Sequence, residues 1–127
     1  MGTENVGEVG GVNGMLTVVI IPEAGLDASR LLRDKVTHEA RTLYWKDRRK
    51  TRLAHKEIGS GYIEIGEAKG TVVAEIRADG KDDIFFLAEK LIGACVRWFQ
   101  SELSGITIQF RRQTGGGEGR RERKGRG

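Results

Sequence analysis

The sequence predicts an α+β fold with the element order βαββαβ. Three observations support this prediction. Two segments repeat apolar residues every three or four positions, one segment alternates apolar and polar residues on both sides of a turn, and a β-branched run precedes them all. The first pattern is typical of amphipathic helices, and the second is typical of a β-hairpin.

The first strand and the first helix are predicted from residue 15 onward. The run MLTVVIIP (15–22) is rich in β-branched residues and closes with a proline, which favours a strand that ends there. Asp27 is a suitable N-cap for a helix. The apolar seam of that helix stops between Lys46 and Arg52, so we expect the helix to fray there or to project as a basic helix end. The seam consists of Ala28, Leu32, Val36, Ala40 and Leu43.

The segment GYIEIGEAKGTVVAEIRA (61–78) predicts a β-hairpin. Its two alternating runs flank the turn Ala68-Lys69, and Gly70 can supply a positive φ. A two-residue loop then places Ile65 opposite Val72. The inward face is predicted to carry Ile63, Ile65, Val72, Ala74 and Ile76, and the other face Tyr62, Glu64, Val73 and Glu75.

The segment KDDIFFLAEKLIGACVRWFQSELSG (81–105) predicts the second helix. Asp82 or Asp83 can cap its start, and Gly105 can close its end. Its apolar arc spans roughly 180°, which is wider than the ~100° of one packing surface. The run GITIQF (105–110) predicts a final strand.

This order of elements is typical of a ferredoxin-like sandwich, a four-stranded antiparallel sheet with two helices on one face. The predicted core comprises Ile63, Ile65, Val72, Ala74, Ile76, Leu91, Cys95 and Ile108.

Composition and charge divide the chain of 127 residues into three regions. We expect a flexible Gly-rich leader over residues 1–14, a single α+β domain over 15–110 and a disordered basic Arg/Gly-rich tail over 111–127. Residues 46–56 and residues 111–127 each carry a net charge of +5, and the rest of the chain carries −6. A single cysteine and no apolar run of ~18 residues favour a cytoplasmic protein outside the membrane.

No catalytic or metal-binding motif is present in the sequence. His38 and His55 are the only histidines, and neither has a cysteine or paired carboxylate at metal-ligand spacing. Cys95 lies in the centre of an apolar helix stripe, which favours a buried thiol over a nucleophile. These observations favour a non-enzyme, and the alternative is a small enzyme with a shared site at an interface. We expect no metal, cofactor or small-molecule ligand.

The predicted open face of the sheet argues for a protein partner more than for bound bases. It carries one aromatic residue, Tyr62, and two carboxylates, unlike the RNA recognition motif, which presents several aromatics in a basic surround. An apolar patch in the middle of an open sheet is usually covered. We therefore expect a homodimer or a protein partner, with interface residues Val19, Ile21, Tyr62, Val73, Ile92 and Val96.

The two basic segments favour nucleic acid, with RNA ahead of DNA on fold analogy alone. Aromatic residues can stack on bases while Lys and Arg hold phosphates. Alternatively, Tyr44 and Trp45 anchor a helix end on the core and the basic residues are only solvated. The candidate nucleic-acid-binding residues are Tyr44, Trp45, Lys46, Arg48, Arg49, Lys50, Arg52, Lys56, Arg111, Arg112, Arg120, Arg121, Arg123 and Lys124.

Residues 61–99 resemble, in the pattern of their apolar positions, the small dimerisation subunit of the KEOPS tRNA-modification complex. The long basic connector and the final strand depart from that pattern, and no residue roles carry over. The resemblance implies a second class of function, a dimeric scaffold or regulatory subunit in which the basic segments only solubilise the chain.

Overall fold

The computed structural model describes residues 15–111, which form an α+β fold with two helices and a six-stranded antiparallel sheet. The predicted leader and the tail beyond Arg111 lie outside the described residues. The strands run in the spatial order β2-β3-β4-β5-β1-β6. In chain order the elements are β1 (Met15–Pro22), α1 (Ala28–His38), β2 (Leu43–Trp45), β3 (Arg52–His55), β4 (Tyr62–Ala68), β5 (Thr71–Arg77), α2 (Lys81–Trp98) and β6 (Leu103–Arg111).

The core lies between one face of the sheet and the two helices. Alternate residues of the central strands are buried there, as a strand with one covered face requires. From the helices, Leu32 and Val36 of α1 and Leu87 and Leu91 of α2 close the same cluster. The predicted core is confirmed except for Ile108, which is 44% exposed because the edge strand β6 extends beyond the cover of α2.

The prediction of four strands and a basic helix end was wrong. Helix α1 begins at the predicted cap, where Asp27 accepts a hydrogen bond from the Arg30 amide at 3.2 Å, but it ends at His38. Residues 43–55 instead form the strands β2 and β3. Leu43 is buried in this arrangement as it would be in a longer helix, so the helical spacing alone could not distinguish the two.

The hairpin of β4 and β5 is confirmed, but its turn lies one residue later than predicted. Ala68 pairs with Thr71, so Lys69 and Gly70 form the loop, with φ angles of 54° and 84°. A two-residue hairpin loop of this type needs positive φ at both positions. Ile65 therefore faces Ala74 instead of Val72, and because this register shift is two residues, every side chain keeps its predicted face.

Both ends of α2 also differ from the prediction. Gly80 is the N-cap, and Asp82 and Asp83 lie in the first turn, where the helix dipole favours negative charge. The helix ends before Phe99, whose amide bonds to the Cys95 carbonyl at 2.9 Å and whose side chain is buried. This earlier end lets β6 begin at Leu103 and pair along the whole of β1.

Within residues 15–111, no helix has the length and apolar character needed to cross a membrane.

Candidate nucleic-acid interface

The open face of the sheet is the face turned away from the helices. Strand pairing confirms the predicted membership of this face, because Thr17 lies opposite Glu75 and Val19 lies opposite Val73. The β2–β3 hairpin extends the face with residues that the sequence analysis placed on a helix. Tyr44 lies opposite Ala54, and Arg52 lies opposite Glu64. The same register brings Ala54 next to Tyr62.

Two tyrosines therefore lie on the open face, two strands or about 10 Å apart. Tyr44 is 41% exposed, and among the described residues its ring contacts no other ring and no cation. Tyr62 is half-buried, and two cations lie over its ring. The guanidinium carbon of Arg52 lies 5.2 Å from the centre of its ring, and Lys46 Nζ lies 5.8 Å from it, both within cation–π range.

The turn that presents these cations is built around Asp47. Its carboxylate accepts hydrogen bonds from the amides of Thr51 and Arg52, at 2.9 and 3.0 Å, and from the Thr51 hydroxyl. The Thr51 hydroxyl and these two amides lower the pKa of Asp47, so the carboxylate stays ionised. Side-chain acceptors of this kind compete with helix formation and favour turns, so Asp47 stabilises the turn between β2 and β3.

A second anchor ties the turn to the rest of the fold. Arg33 of α1 donates to the Lys50 carbonyl at 3.3 Å, to Glu67 at 3.1 Å and to the Ser29 hydroxyl. Hydrogen bonds from Ser29 and Arg33 lower the pKa of Glu67. The basic turn is therefore held against α1 and β4.

The two carboxylates of the open face share one cation. Arg77 lies 2.7 Å from Glu75 and 3.2 Å from Glu64, in both cases between side-chain nitrogen and oxygen atoms. The repulsion that Glu64 and Glu75 exert on a phosphate is weakened by this pairing.

The remaining predicted residues are spread over the fold. Arg48 and Arg49 are exposed at the tip of the turn, and Lys56 is exposed after β3. Trp45 lies on the opposite face from Tyr44, half-buried against the core. Arg111 ends β6, and the other predicted tail residues, Arg112, Arg120, Arg121, Arg123 and Lys124, lie outside the described residues.

The predicted interface residues do not form one surface. Val19, Ile21, Tyr62 and Val73 are half-buried on the open face. Ile92 and Val96 lie on α2, in the layer on the other side of the sheet.

Sequence reasoning missed that Tyr44, Lys46 and Arg52 share the face of Tyr62. The spacing is compatible with this arrangement, because residues 44 and 46, and residues 52 and 54, lie two apart and share a face in a strand, but it does not by itself select a strand over a helix.

The histidine, cysteine and carboxylate side chains of the described residues do not gather into a site. Cys95 is fully buried, and burial raises the pKa of its thiol to about 12, so it is protonated at neutral pH. Within residues 15–111, no three His, Cys, Asp or Glu side chains come together as a metal ion would require.

No protein-family model, no curated protein and no solved structure matches this chain.

Proposed function

We propose that the protein is a non-catalytic intracellular protein that binds single-stranded nucleic acid, with RNA ahead of DNA. The surface we assign to it is the open face at the β2–β3 hairpin, on a ferredoxin-like core to which this hairpin is added. The observation that supports the proposal most is the exposed ring of Tyr44 beside Lys46 and Arg52, the two cations held over Tyr62. Aromatic rings in a basic surround on an open sheet are the usual means of binding single-stranded RNA.

The two tyrosines have different tasks in this proposal. Tyr44 is free to stack on a base, whereas Tyr62 positions Lys46 and Arg52 for phosphate contacts. Arg48 and Arg49 extend the positive surface along the turn. Nothing on this face forms a base-reading arrangement, so affinity should depend little on base sequence.

The test is a fluorescence-anisotropy titration of labelled single-stranded RNA with the Tyr44→Ser variant. Base stacking contributes roughly 1–3 kcal/mol per base, so affinity should fall about 5- to 150-fold. The matched control is Tyr44→Phe, which keeps the ring and should bind as the wild type does. Equal affinity of the Ser and Phe variants would remove Tyr44 from the interface.

A second candidate function, assembly as a dimeric scaffold, is favoured by the two edges of the sheet. The β2 edge has only three residues and is followed by Lys46, whereas β6 has nine residues and carries no charge from Leu103 to Phe110. Long uncharged edges are prone to pair with another strand. On β6 itself Phe110 is 75% exposed, and on helix α2 Val96 is 50% and Phe85 48% exposed.

A second copy of the chain is the partner that we propose for this edge. Antiparallel self-pairing about Ile108 places Ile106 opposite Phe110 and Arg111 opposite Gly105, so no like charges meet. Such a two-fold contact covers the β6 edge of each copy and closes the assembly. Light scattering should then give about twice 14.0 kDa for the wild type.

The variant Ile108→Lys should return the protein to a monomer. Its control is Gln109→Lys, which adds the same charge to the same strand on the open face. A wild-type mass near 14.0 kDa throughout the micromolar range would rule out this assembly.

A further inference from the structure

A basic cavity lies on the helix side of the sheet, apart from the open face. It is bounded by the loop between α1 and β2 and by the second half of α2, and its volume is about 350 Å³. Ligand sites commonly have volumes of about 300–1,000 Å³. Leu43, which points away from the open face, and Ala94 are buried in its floor.

Three cations, Arg41, Lys90 and Arg97, line this cavity. Within the described part of the chain, none of them forms an ion pair or hydrogen bond with a carboxylate. The carboxylate at the rim, Glu39, is already paired with Lys35 at 2.9 Å. The cavity therefore carries an uncompensated positive charge.

The Arg97 side chain lies over a glycine, Gly93, in the middle of α2. Its Nη1 atom lies 3.4 Å from the point that a Cβ atom on Gly93 would occupy, so the side chain folds back along the helix. Arg97 lies in the last turn of α2, where the helix dipole favours positive charge. This effect does not apply to Lys90 or Arg41.

An aromatic side chain forms another wall. Trp98 is half-buried and borders the cavity beside the three cations. Guanidinium and ammonium groups bind phosphate, and an indole ring stacks on a planar base.

We propose that this cavity binds the phosphate and base of one nucleotide, either free or at the 5′ end of a nucleic-acid strand. The proposal is independent of the open-face interface, because the two sites lie on opposite sides of the sheet.

The test follows the Trp98 indole N–H by NMR in the full chain at low salt. The chain has two tryptophans, so a Trp45→Phe variant assigns the two indole signals. The probes are AMP, adenosine, inorganic phosphate and one short RNA with a 5′-phosphate or a 5′-hydroxyl. A saturable shift of the Trp98 signal with AMP, absent with adenosine, supports a free nucleotide. A shift with only the 5′-phosphorylated strand supports the strand end.

The double variant Arg41→Ala with Arg97→Ala should weaken this response at least about tenfold. The control, Arg30→Ala with Lys81→Ala, removes the same charge from exposed positions outside the cavity and should respond as the wild type does. The Tyr44→Ser variant should also keep the response, which separates this site from the open face. The proposal is overturned if neither AMP up to roughly 10 mM nor the phosphorylated strand saturates the shift, or if the Arg41/Arg97 variant responds as the control does.

Discussion

In the proposed function, Arg77 and Tyr62 are the residues that would let an acidic part of the sheet attract phosphate. Arg77 pairs with both open-face carboxylates, and Tyr62 holds Arg52 and Lys46 at cation–π distances. The net charge of the whole body is therefore a poor guide to the field at this point, because nearby pairs dominate at short range.

His55 should make stability depend on pH. It is buried, its Nδ1 accepts the Glu57 amide at 3.1 Å, and its ring meets Phe86 edge-on with centroids 5.0 Å apart. Burial lowers its pKa below 6.5, with Lys90 adding to the effect and Glu57 opposing it. The unfolded chain then binds the proton more readily, so the stabilisation from neutral His55 is complete above pH 6.5 and is lost as the pH falls through the lowered pKa.

The check is urea unfolding of the wild type and of His55→Asn between pH 7 and 5, the range around the ordinary pKa of 6.5. Asn can keep an acceptor near the Glu57 amide but does not titrate, so its stability should fall less steeply. His38→Asn, at an exposed position, is the control. Parallel pH curves for the wild type and His55→Asn would contradict this account of His55.

A nonpolar replacement of Thr17 should stabilise the protein. It is 3% exposed, and within residues 15–111 its hydroxyl has no hydrogen-bond partner. Thr17→Val keeps the β-branched shape and removes the buried hydroxyl, so the free energy of unfolding should rise by about 1 kcal/mol. Chemical denaturation measures this change, and a clear loss of stability would show that the hydroxyl is satisfied.

The β2–β3 hairpin is the element in which the structure differs most from the sequence prediction. It converts a predicted helix end into two strands and carries a tyrosine and two cations onto the open face. The carboxylate of Asp47 shapes its turn, and Arg33 fastens that turn to α1.

Replacing Arg33 with Met should loosen the hairpin turn without unfolding the core. The variant keeps much of the apolar stem but loses the bonds to Lys50 and Glu67. We expect the free energy of unfolding to fall by only about 1–2 kcal/mol, since the Arg33 and Glu67 side chains are partly exposed to solvent. Hydrogen exchange should accelerate mainly over residues 46–52. Arg30→Met on the exposed side of α1 is the control, and identical exchange in the two variants would show that Arg33 does not anchor the turn.

In the molecule as a whole, the central strands and the two helices could be predicted because their patterns are local. Alternation predicted the faces of β4 and β5 even though the turn lay one residue later. The β2–β3 hairpin could not be separated from a helix in this way, because Leu43 fits both periods and β2 has only three residues. The site at Tyr44 depends on this hairpin, so its geometry could not be predicted either.

The two outer edges of the sheet and the basic cavity also arise only in the assembled fold. Arg41 and Arg97 are far apart in the sequence, and the helix-side cavity brings them together. The exposure of Ile108 depends on how far α2 covers β6, which no alternation pattern reports.

The most direct test of the central proposal is the salt dependence of binding to single-stranded RNA. Each phosphate contact contributes about 0.7 to the slope of log affinity against log salt, so replacing Arg48, Arg49 and Arg52 with Ala should flatten the slope by about 2. The control carries Arg30→Ala, Lys69→Gly and Lys81→Ala, which removes three charges outside the hairpin and should leave the slope nearly unchanged. Absence of wild-type binding at about 50 mM salt, or an unchanged slope in the Arg48/Arg49/Arg52 variant, would contradict nucleic-acid binding by this hairpin.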